Sequence, residues 1–192
     1  MASIEIHSVE TVSGNQPRVR RIIEEASQTF LPGTPVQIAS GDGGVEAWDG
    51  TTVADGIAGF CLEGGQNLAA LGVQPSAAVV GPQPLTFGSV PNEASAQNIG
   101  RPAFSDGRNG FEVAVADTVF RGQVGPSQSV AAVNVSKQYG LTKDSDSHWY
   151  VDTSKTGADA VVEVVRLDPA DQSASPRGVY FVVLPAAAQL VA

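Results

Sequence analysis

Gly178-Val179-Tyr180-Phe181-Val182-Val183-Leu184, near the end of the chain, and Val161-Val162-Glu163-Val164-Val165-Arg166-Leu167, shortly before it, decide the fold class. Both runs are too short for an ordinary globular helix and too rich in β-branched residues to favour one. From Val179 to Leu184 no polar residue interrupts apart from a tyrosine hydroxyl, and Pro185 then stops the run. An unbroken apolar segment of this length reads as a strand central to a sheet or barrel.

Working outward, the whole chain keeps the same bias. It holds 26 valines against 9 leucines among 192 residues, and 21 glycines with 12 prolines punctuate it. Gly and Pro exceed their average share of roughly 12%, which suits many tight turns and excludes a helical bundle or coiled coil. Further strands are predicted at Trp149-Tyr150-Val151, at Val130 to Val135, and at Phe111 to Val115, where Phe111, Val113 and Val115 share a face. Asp106-Gly107 and Asn109-Gly110 read as turns before that last strand. Val36 and Ile38, Val45 to Trp48, and Ile57 to Leu62 read as a compact meander, with a turn at Ser40 to Gly44. Residues 18–31 fit a helical stripe through Val19, Ile22, Ile23, Ala26 and Phe30, yet lack an N-cap; Ala26 to Leu31 leans extended. The stretch from Gly64 to Gly110 is a long Gly/Pro-rich connection with strand-like pieces only at Ala77–Val80 and Leu85–Phe87. Residues 1–17 read as an extended N-terminal arm, since Ile4 and Ile6 alternate with Glu5 and His7 before a cluster of breakers. The expected fold is therefore mainly β: a barrel- or sandwich-like body of short antiparallel strands over residues 18–192, preceded by the arm.

Charge narrows the partners. The net charge is −9, and no Lys or Arg occurs between Arg21 and Arg101, while eight acids do. A phosphate polymer is repelled by such a surface, so direct nucleic-acid binding is not expected. Arg18, Arg20 and Arg21 form the one basic cluster, beside Glu24 and Glu25, and read as a solvated face. Cys61 is the single cysteine and sits in an apolar run, where it behaves as a small buried hydrophobe and suits a reducing compartment. The first residues lack the pattern of a signal peptide, and the apolar stretch from Val179 is broken by Pro185, short of the roughly 20 residues a spanning helix needs. A soluble protein with no membrane association is the expectation.

Catalytic chemistry is hard to find. His7 and His148 have no Cys, His or Glu at metal-ligand spacing, no G-x-S-x-G elbow occurs, and Gly41-Asp42-Gly43-Gly44 lacks the Lys of a phosphate loop. Asp144-Ser145-Asp146-Ser147-His148 starts like a calcium loop but has no glycine or closing Glu. Glu112, Glu163, Asp117 and Asp152 lie on strand-like segments, as the paired acids of a β-sandwich glycosidase do, but a solvated strand face accounts for them more simply. Trp149 and Phe111 are assigned to the core. No catalytic residue, cofactor or metal is expected.

One resemblance extends over roughly residues 26–190. Phe30-x-Pro32-Gly33-Thr34-Pro35-Val36, a Gly-rich turn and Ile57-Ala58-Gly59-Phe60 come first. Arg101-Pro102-Ala103-Phe104-x-Asp106-Gly107, Val124-Gly125, Tyr139-Gly140-Leu141 and Trp149-Tyr150-Val151-Asp152 follow. The valine strand ending Leu167-Asp168-Pro169 and the closing Gly178 to Leu184 complete the order. This succession resembles the head decoration (capsid cement) proteins of tailed bacteriophages. It rests on apolar and turn residues rather than a rare chemical signature. The resemblance implies a non-enzymatic virion protein, made in the host cytoplasm. Such a protein binds the outer surface of the expanded capsid as a homotrimer and ties neighbouring major capsid subunits together against DNA pressure. Ile4, Ile6, Val9 and Val12 of the arm are then the candidate contacts to capsid or sister subunit, by strand addition. A β-sandwich module binding carbohydrate or a receptor, on a phage tail or surface structure, is the alternative.

Overall fold

In the computed structural model, residues 5–12, 17–25, 27–40, 43–50, 56–65, 108–114 and 117–189 are described. The architecture is two antiparallel sheets packed face to face, with no α-helix among these residues. The first sheet has six strands: β1 (His7–Thr11), β7 (Thr118–Gln123), β11 (Gly178–Val183), β10 (Val162–Leu167), β8 (Gln138–Lys143) and β9 (Trp149–Asp152), in that spatial order. The second has five: β2 (Val19–Ile23), β6 (Arg108–Val113), β5 (Gly59–Cys61), β3 (Pro35–Ile38) and β4 (Val45–Ala47). As the apolar run predicted, β11 is an interior strand, flanked by β7 and β10.

Period-two alternation sets which side chains meet. Val179, Phe181 and Val183 of β11 point inward with Val162 and Val164 of β10 and Phe120 of β7, all fully buried. From the facing sheet Phe60 enters the same layer, with ring centroids 4.5 Å from Phe120 and 5.9 Å from Phe181. Trp48 and Trp149, which the sequence places far apart, pack at 5.5 Å near one end of this core. The outer face of the six-stranded sheet is instead a charged ladder. Arg121 pairs with Asp168 at 2.7 Å, Arg166 pairs with Glu10 at 2.9 Å, and the Arg166 guanidinium lies 4.2 Å over the Tyr180 ring.

The smaller sheet buries both faces. Phe60 serves the shared core, while Val36, Val45, Ala58, Cys61, Phe111 and Val113 form a second cluster with Phe30. The sheet curls to enclose it. Glu24, just past β2, makes a parallel bridge to Val45 on β4, the opposite edge strand, and the Glu25 amide donates to the Val45 carbonyl at 2.9 Å. That contact spans one residue, so the sheet is rolled but forms no closed barrel.

Several expectations are corrected. The described residues of 18–31 contain no helix: Val19–Ile23 is strand β2, held by five register pairs to β6, and Ser27 to Leu31 is irregular rather than a strand. Asn109-Gly110 is not a turn but lies within β6, because the buried Asn109 side chain is bonded to Glu24 and to the Gly64 carbonyl. Val130 to Val135 holds a 3₁₀ turn, Ala132–Asn134, in place of a strand. The meander is reordered, since β5 pairs with β3 on the side away from β4. Ala77–Val80, Leu85–Phe87, Val115 and Ile4 lie outside the described residues.

Part of the expected arm is built into the sheet. His7–Thr11 forms β1 against β7, and Ile6 is 3% exposed within the main core. Gly33, at φ +76°, lets this segment pass: a Cβ there would meet the Ile6 amide nitrogen at 2.7 Å. Ile6→Ala is therefore expected to cost about 2–4 kcal/mol of unfolding free energy in urea, whereas Val12→Ala at the exposed end of the segment stays within about 0.5 kcal/mol.

Candidate functional site

Of the four candidate contact residues, Ile4 lies outside the described residues and Ile6 is spent on the protein's own core; Val9 (42% exposed) and Val12 (72% exposed) remain on the surface. Both belong to the segment that ends the six-stranded sheet. A bulge between Ser8 and Glu10 interrupts the pairing with β7 at Val9. Across from it, Glu112 on β6 accepts hydrogen bonds from the Ser8 amide and the Ser8 hydroxyl. Glu112 is directly opposite Val19 of β2, so β1 and β2, which each end a sheet, lie on the same side of the sandwich. Val19 is 54% exposed as well. The result is a seam between two unfinished sheet edges, carrying three exposed valines, with Arg20 exposed on β2. An edge of this kind is a template for another strand.

Two of the acids considered as catalytic, Glu112 and Asp152, are bonded within the fold. Glu112 is occupied by Ser8, and Glu163 lies on β10 with Gln138 at 3.4 Å. Asp117 sits at the start of the turn into β7, its carbonyl accepting from the Val12 amide at 2.7 Å. Burial on its own would raise the Asp152 pKa, but bonds donated by Ser154, Gln128 and Thr142 outweigh it and hold the carboxyl at about 2. The partial calcium motif is a tight turn in which Asp144 Oδ1 accepts from the Asp146 and His148 amides. Among the described residues no group of three or more His, Cys, Asp or Glu could hold a metal ion.

Inside the rolled sheet, Cys61 donates to Asn109 Oδ1 at 3.2 Å. Burial, followed by the nearby Glu24 and Glu63 carboxylates, pushes its thiol well above the ordinary range. A hollow of about 550 Å³ opens beside β7, lined by Gln123, Ser127, Gln128, Asp144 and Arg177 among others. Much of its polar lining faces internal partners. Arg177 donates twice to the Val124 carbonyl, and Gln128 spans Asp152 and the Thr153 amide. No helix of the described residues is long and apolar enough to cross a membrane. No protein-family model, curated protein or solved structure matches this chain.

Two outcomes follow from these environments. Asp152 has a folded-state pKa near 2, below its unfolded value of about 4, so it stabilises the fold above pH 5 and loses that contribution as pH falls towards 2. Asp152→Asn should flatten the acid side of a stability-versus-pH curve by about 2 kcal/mol, read by urea titration between pH 2.5 and 7. Cys61 should stay unreactive to a chromogenic disulfide reagent in the native protein and react stoichiometrically once denaturant unfolds it.

Proposed function

We propose that this chain is a structural virion protein that decorates the outer surface of an expanded phage capsid and cements neighbouring major capsid subunits, acting as a homotrimer. The observation that supports this reading best is the seam of β1 and β2, where two sheets end side by side with Val9, Val12 and Val19 exposed. A shell subunit or sister copy adding a strand there satisfies backbone groups and covers the valines in one step. Three such attachments per trimer make each one effectively intramolecular after the first, so individually modest contacts hold firmly. The acidic surface keeps the protein off packaged nucleic acid during assembly.

The test is co-sedimentation of the purified chain with expanded capsids of the phage that encodes it, with light scattering to give its oligomeric state. Capsid binding by a trimer, or by a monomer that trimerises on shells, is expected. Val9→Lys combined with Val12→Lys should weaken attachment roughly tenfold or more without unfolding the protein. Absence of capsid binding alongside specific retention on a glycan array would replace this reading with the carbohydrate-binding module.

A further inference from the structure

Four strands end the two sheets: β1 and β9 in the larger, β2 and β4 in the smaller. Three of them already meet other parts of the chain along that edge. β9 is bridged at Val151 by Val124, and β4 is bridged at Val45 by Glu24 and the Glu25 amide. On β1 a bulge interrupts the ladder, and the Ser8 amide is taken by the Glu112 carboxylate. That leaves β2, and three observations say what it can receive.

The first is backbone direction. The Val113 amide donates to the Arg18 carbonyl at 2.8 Å, so Arg18 and Val113 form a hydrogen-bonded pair of the antiparallel ladder. Such pairs alternate along the strands. Arg20 and Phe111 are therefore the next, and the amide and carbonyl of Val19 between them turn away from β6. Val19 is 54% exposed, so an incoming strand can reach it. The second is charge. Arg18 and Arg20 are exposed and neither side chain forms an ion pair among the described residues, whereas Arg21 beside them is paired with Glu63 at 3.7 Å. Charges on an edge strand often repel other strands, but to do so they must match the sign of what they meet. These two are cations on a chain of net charge −9. The third is facing. Arg18 and Arg20 alternate with Val19, so both arginines leave one face of the strand and the valine leaves the other.

In an added strand, the residue opposite Val19 exchanges hydrogen bonds with it and shares its face, while the residues on either side stand opposite Arg18 and Arg20. The matching pattern is acid, apolar residue, acid, in extended conformation. This chain contains no such triplet. Its one pair of acids at that spacing, Asp144 and Asp146, flanks a serine and lies in the β8–β9 turn. A second copy therefore has no segment that fits. We propose that the Arg18–Arg20 edge of β2 binds an extended acid–apolar–acid segment of a different protein by strand addition. The inference rests on the capsid reading of the seam and deepens it: the major capsid subunit supplies the segment, and β2 receives it.

The experiment is ¹H–¹⁵N NMR on the full chain, titrated with short capped peptides centred on Glu-Val-Glu, Gln-Val-Gln or Lys-Val-Lys. Saturable movement of the Val19 amide by the Glu peptide is expected, with the Gln peptide about fivefold weaker and the Lys peptide without effect. Hydrogen exchange at the Val19 amide should slow on binding, while that at Arg20, directed at β6, stays as it was. Arg18→Gln combined with Arg20→Gln changes two exposed side chains and should remove the preference for Glu over Gln. An unmoved Val19 amide at tens of millimolar peptide would overturn the proposal. So would equal affinity for the three peptides, or equal movement by a thymidine oligonucleotide. Co-sedimentation separates this inference from the capsid reading. A double variant that binds expanded capsids as tightly as the parent protein overturns the β2 assignment alone. If neither protein binds capsids while the peptide preference holds, the capsid reading falls and the β2 edge stands.

Discussion

Three phenylalanines meeting between the sheets set the terms for everything else in this protein. Phe60 brings the smaller sheet to Phe120 and Phe181 of the larger, with centroids 4.5–6.0 Å apart and all three rings fully buried. Aromatic rings supply much of the apolar area available to a chain with so few of them. Their flat, tilted contacts require neighbours that stay out of the way, and the valines of β10 and β11 do so: short, branched and stiff about χ1, they fill the flanks without competing for the centre. The N-terminal segment is drawn in by the same demand. Gly122 leaves room on β7 beside Phe181, and Ile6 packs there. An apparent appendage is thereby converted into part of the core.

The smaller sheet meets a different constraint. One of its faces is committed to the phenylalanine layer, yet β5 and β6 alternate apolar residues onto the other face as well. Rolling the sheet until Glu24 reaches Val45 encloses that second face. Rolling also carries Glu24 and Asn109 inside, where both are fully buried, and Asn109 is bonded to Glu24, Cys61 and the Gly64 carbonyl at once. Buried polar groups persist only when bonded in this way. The edge β2 therefore cannot be shifted without unpairing that group, and it holds Val19 at the seam.

How much of this was legible in the sequence depended on whether local pattern and tertiary context agreed. The apolar run at Val179–Leu184 announced an interior strand, and alternate residues of it, Val179, Phe181 and Val183, are fully buried. Trp149–Val151 and the Val36 and Val45 strands were legible by alternation. Val19–Ile23 was not, because its residues match a helical stripe equally well and the deciding factor is the ladder to β6, a partner almost ninety residues away. Asn109-Gly110 carries the strongest turn dipeptide in the chain and still lies in a strand, since the hydrogen bonds gained by burying the Asn109 amide outweigh a local preference. Ile6 is buried in the core whereas Val9 and Val12 are exposed, a division that the shared apolar pattern of the three does not reveal. The contact of Trp48 with Trp149 left no signal in the sequence, because Trp48 follows β4 of one sheet and Trp149 begins β9 of the other.

The acidity of the chain also reads differently once the bonds are traced. Asp171 accepts from the Arg177 and Gly178 amides, which hold it below the usual carboxylate range. Asp168 joins Arg121 to the Ala170 amide, Asp152 gathers Ser154, Gln128 and Thr142, and Asp144 closes the β8–β9 turn. Each of these carboxylates ties backbone donors of an irregular loop to a strand end. A β protein with long connections and no disulfide must satisfy many loop amides, and a short acid offers two acceptor oxygens at the smallest side-chain volume. Four of the 20 acids thus fix irregular loops to strand ends. Asp152, an acid on a strand that suggests chemistry when read along the chain, belongs to this group.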